Sequence, residues 1–320
     1  MRESDLWPAL RGYWHPAAFS GEVGERPLAV RVLGERLVLC RLGGQVRAFH
    51  DLCIHRGTPM SLGWVEGERL VCAYHGWSYN GGGECVRIPS LPPEHPIPKK
   101  ACLTAYPARE RYGLVWVCLG DNPLAPIPDF SPLEDPGFRL VVRDKRVWHC
   151  SAARAVENFL DFSHFPWVHE GVLGDRAHAQ TPEMTAERDG ETVRFTVENP
   201  PDKLHPIPYQ RFYWVSRPFA CHIGRAEPNG NKELLYFICA PHTAKECTRF
   251  TLIGRNYEPD PSKGRRIEDL EDLIIEQDRL IVENQRPEEL LLDLTEELHV
   301  KGPDTASIEY RKMMKELGVE

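Results

Sequence analysis

The sequence has no long apolar run. Leu234 to Ala240 is among the longest and is strand-sized, well short of the roughly 20 residues that a bilayer-spanning helix needs. The opening residues, Met1-Arg2-Glu3-Ser4-Asp5, have no apolar stretch and no export signal. There is no internal repeat and no low-complexity tract, which excludes solenoids and disordered linkers as the main architecture. Positive charge is not in surplus. The formal net charge is -8 and the pI about 5.9, which argues against nucleic acid or an anionic membrane as the main partner. Also missing are a G-x-G-x-x-G fingerprint and the cysteine spacing of a plant-type ferredoxin. Any nicotinamide chemistry therefore belongs to another polypeptide. The expectation is a soluble, cytoplasmic protein.

What is present is an ordinary globular composition, 42% hydrophobic and 27% charged over 320 residues, enough for a sizeable core and for two domains. Ten cysteines in an intracellular chain point to thiols or metal ligands rather than disulfides. Charge is uneven. Residues 1–120 hold 14 Lys/Arg and 11 Asp/Glu, a mildly basic third that would suit an acidic partner. Short β-type runs broken by Gly34 and Gly43-Gly44 fill 27–50, with more around 69–79 and 113–119. Five prolines between Pro123 and Pro136 mark a boundary, giving domains 1–135 and 136–320. The second opens with a strand from Phe138 to Cys150, followed by a helical segment over 151–163. Strand-like runs follow at Val193–Val197, Gln210–Arg217, Leu234–Cys239 and Thr248–Arg255. A long amphipathic helix spans Gly264–Gln285 and a shorter one Thr305–Leu317. Strands and helices without regular alternation predict an α+β fold with antiparallel sheet.

Two clusters carry chemistry. The first is Cys53-Ile54-His55-Arg56-Gly57 and then Cys72-Ala73-Tyr74-His75-Gly76-Trp77, with sixteen residues between His55 and Cys72. Two cysteines and two histidines can hold one zinc tetrahedrally. They can also hold a [2Fe–2S] cluster in which two thiolates bind one iron and two imidazoles the other, with a raised reduction potential. Gly57, Gly76 and Pro59 suit the tight loops that either site requires.

The second cluster starts with Asn158, Asp161 and His164, at i, i+3 and i+6 on one helix face. His169 follows, with Pro166 between the two histidines to break the helix and swing His169 back. A 2-His-1-carboxylate iron site needs an acid as well. Leu270, Ile274, Ile281 and Gln285 form a stripe on the long helix, and Asp278 falls on it. A carboxylate on a buried face is costly unless paired or bound to metal. Asp272, Glu276 and Glu283 lie off the stripe.

These residues carry a family resemblance. Cys53-x-His55 and Cys72-x-x-His75, with Trp77-Ser78-Tyr79, Gly83 and Ile88-Pro89 following, resemble the Rieske cluster motifs. Asn158, Asp161, His164 and His169 match the N-x-x-D-x-x-H-x-x-x-x-H pattern of Rieske non-haem iron oxygenases. The resemblance runs over nearly the whole chain. It is strongest to enzymes built from one kind of oxygenase subunit, such as dicamba and vanillate demethylases. Glu110–Asp121, Ser163–Arg176, Ile275–Asp278 and Thr305–Gly318 look especially like saxitoxin-pathway hydroxylases.

The resemblance implies an N-terminal antiparallel β domain holding the [2Fe–2S] cluster through Cys53, His55, Cys72 and His75. It implies a helix-grip catalytic domain with mononuclear Fe(II) on His164, His169 and Asp278. Asp161 would link His164 to His75 of a neighbouring subunit in a head-to-tail homotrimer, while Asn158 assists or caps. Electrons would come from NAD(P)H through a separate flavin or ferredoxin reductase, with O₂ as co-substrate and a small molecule as substrate. Hydroxylation of a small ring compound leads. O- or N-demethylation of a small aromatic or heterocyclic substrate is the alternative, with cis-dihydroxylation third. A Rieske electron carrier and a zinc-binding structural module are the non-enzyme readings. Phe212, Trp214 and Phe219 are candidates for a substrate pocket, with core packing the plainer role; the other eight cysteines read as small core residues.

Overall fold

The computed structural model describes residues 1–181, 184–199, 207–257 and 261–318, in two compact units. One unit is Arg11–Ile127; the other joins Met1–Leu10 to Pro128–Glu320.

The first unit is all β. Strands β1 (Trp14–Phe19), β11 (Leu114–Cys118) and β10 (Ala108–Arg111) form one antiparallel sheet. A second contains β2 (Leu28–Val32), β3 (Glu35–Leu42), β4 (Gln45–His50) and β9 (Ala105–Tyr106). A third is built from β5 (Trp64–Glu66), β6 (Arg69–Val71), β7 (Ser78–Tyr79) and β8 (Cys85–Arg87). Tight turns join these short strands. Leu33 and Gly34 both take positive φ between β2 and β3, as do Gly43 and Gly44 between β3 and β4, a conformation that favours glycine. One apolar core packs Val38, Cys40, Phe49, Met60, Leu70 and Tyr79 around Cys53 and Cys72.

The second unit is α+β. Its sheet has seven antiparallel strands in the order β12 (Arg139–Trp148), β18 (Glu246–Arg255), β17 (Lys232–Thr243), β16 (Ala220–Ala226), β15 (Tyr209–Ser216), β14 (Thr192–Asn199) and β13 (Glu187–Asp189). The alternation of β15 is plain: Tyr209, Arg211, Tyr213 and Val215 are buried, and the residues between them are less so. Among the described residues five α-helices accompany the sheet: α1 (Trp7–Leu10), α2 (Ala152–Asn158), α3 (Phe165–Val168), α4 (Pro261–Val282) and α5 (Thr305–Glu316).

The first residues of the chain are built into this unit. Arg2 bridges Leu291, and the Leu292 N–H donates to the Met1 carbonyl at 2.9 Å. The Glu3 carboxyl accepts from the Ala153 N–H at 2.8 Å at the start of α2. Ser151 caps that helix, accepting from the Arg154 N–H at 3.3 Å and the Leu290 N–H at 3.0 Å.

Two sequence expectations shift. The helix expected over 151–163 ends at Asn158, so Asp161 and His164 sit in the turn beyond it rather than on one continuous face. The buried stripe of α4 runs through Ile274, Ile275, Asp278 and Val282, and Ile281 is 48% exposed. The stripe is rotated towards Ile275, whose face lines the cavity beside His164 and His169.

Candidate functional site

In the first unit the two metal-motif loops are copies of one design. The Gly57 N–H donates to the Cys53 carbonyl at 2.9 Å, and the Gly76 N–H donates to the Cys72 carbonyl at 3.0 Å. The Cys53 N–H is received by Thr58 and the Cys72 N–H by Trp77. Both glycines need positive φ, +70° and +67°, to turn the chain four residues past each cysteine. This folding puts like with like. Cys53 and Cys72 are buried, with their thiols against each other. His55 and His75 are exposed, ring centroids 4.6 Å apart. Trp77 stacks on His55 at 4.4 Å. The Tyr79 hydroxyl lies 3.2 Å from the Cys53 sulfur. A cysteine pair and a histidine pair, rather than four donors around one point, is the arrangement a mixed-ligand two-iron cluster requires.

In the second unit α2, α3 and α4 bring together Asn158, His164, His169 and Asp278. Pro166 does not break a helix here. It stands in the first turn of α3, where a proline costs no hydrogen bond. His164 and His169 flank that single turn, as its N-cap and C-cap, and their rings come within 5.1 Å. Asp278 reaches in from α4, with Oδ1 3.2 Å from His164 Nε2 and 3.0 Å from His169 Nε2. Neither Nε2 is aligned to hydrogen-bond, and both are buried. Three donor atoms thus converge on one point without satisfying one another, as donors to a cation do.

Partners behind the ring orient each histidine. His164 Nδ1 lies 3.2 Å from Asp161 Oδ2, and Asp161 is itself fixed by the Ser163 N–H at 2.7 Å. His169 Nδ1 donates to Gln277 Oε1 at 2.8 Å. Both leave Nε2 facing the common point. Burial would lower the His164 pKa, but the nearby Asp161 and Asp278 carboxylates outweigh it and raise it to about 9. Burial likewise opposes ionisation of Asp278 and Asp161, and their histidine partners overcome it, so both carboxyls lie below the usual range. Asn158 is the weakest member, its amide 3.5 Å from Asp278 Oδ1. Arg311 of α5 steadies the helix that carries it, binding Glu157 at 2.5 and 2.7 Å.

A cavity opens beside the triad between the inner face of the sheet and α4. Phe159, Phe165, Ile223, Leu235 and Phe237 wall it, together with the charged Arg211, Arg225, Glu233 and Glu271. Phe212 and Trp214 point from the opposite face of β15, and Phe219 is buried in the core, so Arg211 and Tyr213, which alternate with the first two, line the cavity instead. The sequence reading missed Gln277 and the four charged residues. A neutral amide behind a histidine leaves no spacing signal, and isolated charges on strands read as solvated until the strand's inner face is known.

Comparisons with known proteins agree with this geometry. Residues 13–107 match the Rieske [2Fe-2S] domain, and residues 148–320 match the vanillate O-demethylase oxygenase C-terminal domain. Methylxanthine N1-demethylase NdmA of Pseudomonas putida is 35% identical over 319 residues, covering 96% of this chain and 89% of that protein. Methylxanthine N3-demethylase NdmB of the same organism is 31% identical, covering 97% and 90%. The solved structure of NdmA with caffeine superposes with a TM-score of 0.89 at 33% identity, covering 98% of this chain and 93% of that one. The chain belongs to the Rieske non-haem iron oxygenases. Within that class it is a terminal oxygenase, an oxidoreductase that carries a Rieske [2Fe–2S] cluster and a mononuclear iron. Such oxygenases work on small molecules with a separate reductase or ferredoxin. Demethylation, the second choice from sequence, is better supported than hydroxylation as an end in itself. Among the described residues, no helix is long and apolar enough to cross a membrane.

Proposed function

We propose that this chain is the oxygenase component of a demethylase that removes a methyl group from nitrogen or oxygen on a small heterocycle. Cys53 and Cys72 would hold one iron of the cluster and His55 and His75 the other. His164, His169 and Asp278 would hold the mononuclear iron. When bound, these groups deliver electrons one at a time and activate O₂, so that a methyl C–H becomes C–OH. The resulting N- or O-hydroxymethyl group then loses formaldehyde. For each methyl removed, one O₂, two electrons and two protons give formaldehyde, water and the demethylated heterocycle.

The protein's own part is positional. Asp161 and Gln277 hold the two imidazoles with Nε2 inward. Apolar walls exclude water around the substrate methyl. The observation that carries the reading is the convergence of three buried donors on the wall of an apolar cavity.

Assembly as a head-to-tail homotrimer belongs to the same proposal, with the exposed His75 of one subunit meeting Asp161 of the next. Asp161 keeps 36% of its side chain exposed, beside the 93%-exposed Leu298, in a cleft that such a neighbour would cover.

The test is to assay iron and acid-labile sulfide on anaerobically purified protein, then formaldehyde release with a reductase, NADH and N-methyl heterocycles. About three irons and two sulfides per chain, with formaldehyde formed in step with NADH use, is the expected result. Zinc without sulfide would overturn the assignment of both metal sites.

A further inference from the structure

The chain that leaves the second histidine of the triad doubles back on α3. After His169 it makes a tight loop, Glu170 to Gly174. The Val172 and Leu173 N–H groups both donate to the His169 carbonyl, at 2.9 and 3.0 Å. The Gly171 N–H donates to the Gly174 carbonyl at 2.7 Å, and Glu170 and Gly174 form a β-bridge. Just beyond, Arg176 ties the loop to the helix. Its Nε lies 3.0 Å from Glu170, and its guanidinium 5.7 Å from the Trp167 ring centre.

Gly174 is where this loop meets α3. A Cβ there would lie 2.9 Å from the Cα and the nitrogen of Pro166, and 3.2 Å from the carbonyl carbon of Phe165. All three are backbone atoms, which cannot swing aside as the end of a side chain can. The φ of Gly174 lies outside the left-handed region. Its backbone conformation therefore admits any residue, and only the close approach asks for glycine. Gly171 is the opposite case, with a φ of +73°. Carbon atoms sit comfortably at about 3.5 Å or more, so a methyl on Gly174 would drive loop and helix apart by about half an ångström.

Either way a histidine moves. α3 is a single turn with His164 at one end and His169 at the other, so a push on Pro166 displaces it as a block. If the loop yields instead, its two bonds to the His169 carbonyl carry that histidine along. Metal–ligand distances tolerate only about 0.2 Å, less than half of that shift.

We infer that Gly174 is a positioning residue for the mononuclear iron. By lacking a side chain it lets the loop close on Pro166, and this contact sets the spacing of His164 and His169. The inference rests on the assignment of His164, His169 and Asp278 as the iron ligands.

The test is Fe(II) affinity of the cluster-loaded protein, measured by competition with a chelator. Gly174→Ala should weaken binding about 10- to 100-fold, and Gly174→Val more. Val172→Ala, which trims a side chain of the same loop and leaves its backbone ties alone, should bind Fe(II) as the wild type does. Unchanged affinity in Gly174→Ala would overturn the inference, as would an equal loss in Val172→Ala. A second measurement needs no variant. Removing Fe(II) from the wild type should speed amide exchange at Val172 and Leu173, read by mass spectrometry, because their N–H groups bond to a ligand residue. Exchange that ignores the iron also counts against it. Asp278→Ala separates the two claims. Iron held by that variant would sink the ligand assignment and the inference with it. Iron lost there but kept at full affinity by Gly174→Ala would sink the inference alone.

Discussion

The two metal regions use histidine to opposite ends. In the cluster loops the sulfurs are buried in the core and the imidazoles face outward. In the triad His169 is fully buried, His164 nearly so, and each has a side chain fixed behind it. The difference follows from what each site must exchange. A cluster passes electrons to another surface, so one ligand pair must reach that surface. A site that activates O₂ must exclude water and hold its ligands still. Exposure leaves the first site tuned mainly from its sulfur side. Burial makes the second depend on every partner.

The sharpest break of this comparison is Asp278→Ala. Turnover should fall at least thousandfold while the visible Rieske spectrum stays intact, and iron should drop from about three to two per chain; normal turnover would remove Asp278 from the site. Gln277→Leu comes next. Freed from its acceptor, His169 can rotate or change tautomer, and affinity for Fe(II) should weaken about 10- to 100-fold, read by competition with a chelator. Unchanged affinity would mean that the 2.8 Å bond is incidental.

A third prediction contrasts Asp278 with another buried acid. Histidines hold Asp278 ionised, whereas burial pushes Glu3 from its ordinary 4.5 up to about 7. Between those values only the folded chain keeps the Glu3 proton, so stability is full below pH 4.5 and is lost as pH rises through 7. Glu3→Gln should remove that decline. At pH 8 the variant should be more stable by about 1–3 kcal/mol, and the two proteins should be closely matched at pH 4.5, as read by urea unfolding. A variant no more stable at pH 8 would show that Glu3 is not strained. The smallest effect is expected from Tyr79→Phe. Loss of the hydroxyl 3.2 Å from the Cys53 sulfur should lower the cluster potential by tens of millivolts, measured by redox titration, with no change in iron affinity at the triad.

The legible parts of the sequence were those where chemistry restricts residue type. Cys-x-His and Cys-x-x-His at tight spacing have few other uses. An aspartate among apolar residues on a helix asks for a partner, and Asp278 indeed faces His164 and His169. The α+β class, with its antiparallel strands, was readable from alternation. Less was visible where tertiary placement decides. Ala220–Ala226 is a central strand of the sheet, yet its small and polar residues carry no β signal. Pro166 looked like a break because proline's role depends on whether it falls inside a helix or in its first turn. The cavity charges became meaningful only once the strands were seen to point them inward.

The split of the second unit bears on how the protein is made. Residues 11–127 are contiguous, so that unit can fold as it leaves the ribosome. The other unit must join Arg2 to Leu291, and Glu3 to the helix at Ala153. Its first piece is therefore synthesised at the start and waits for partners that emerge near the end. The iron-binding half of the molecule is thereby the last to be completed.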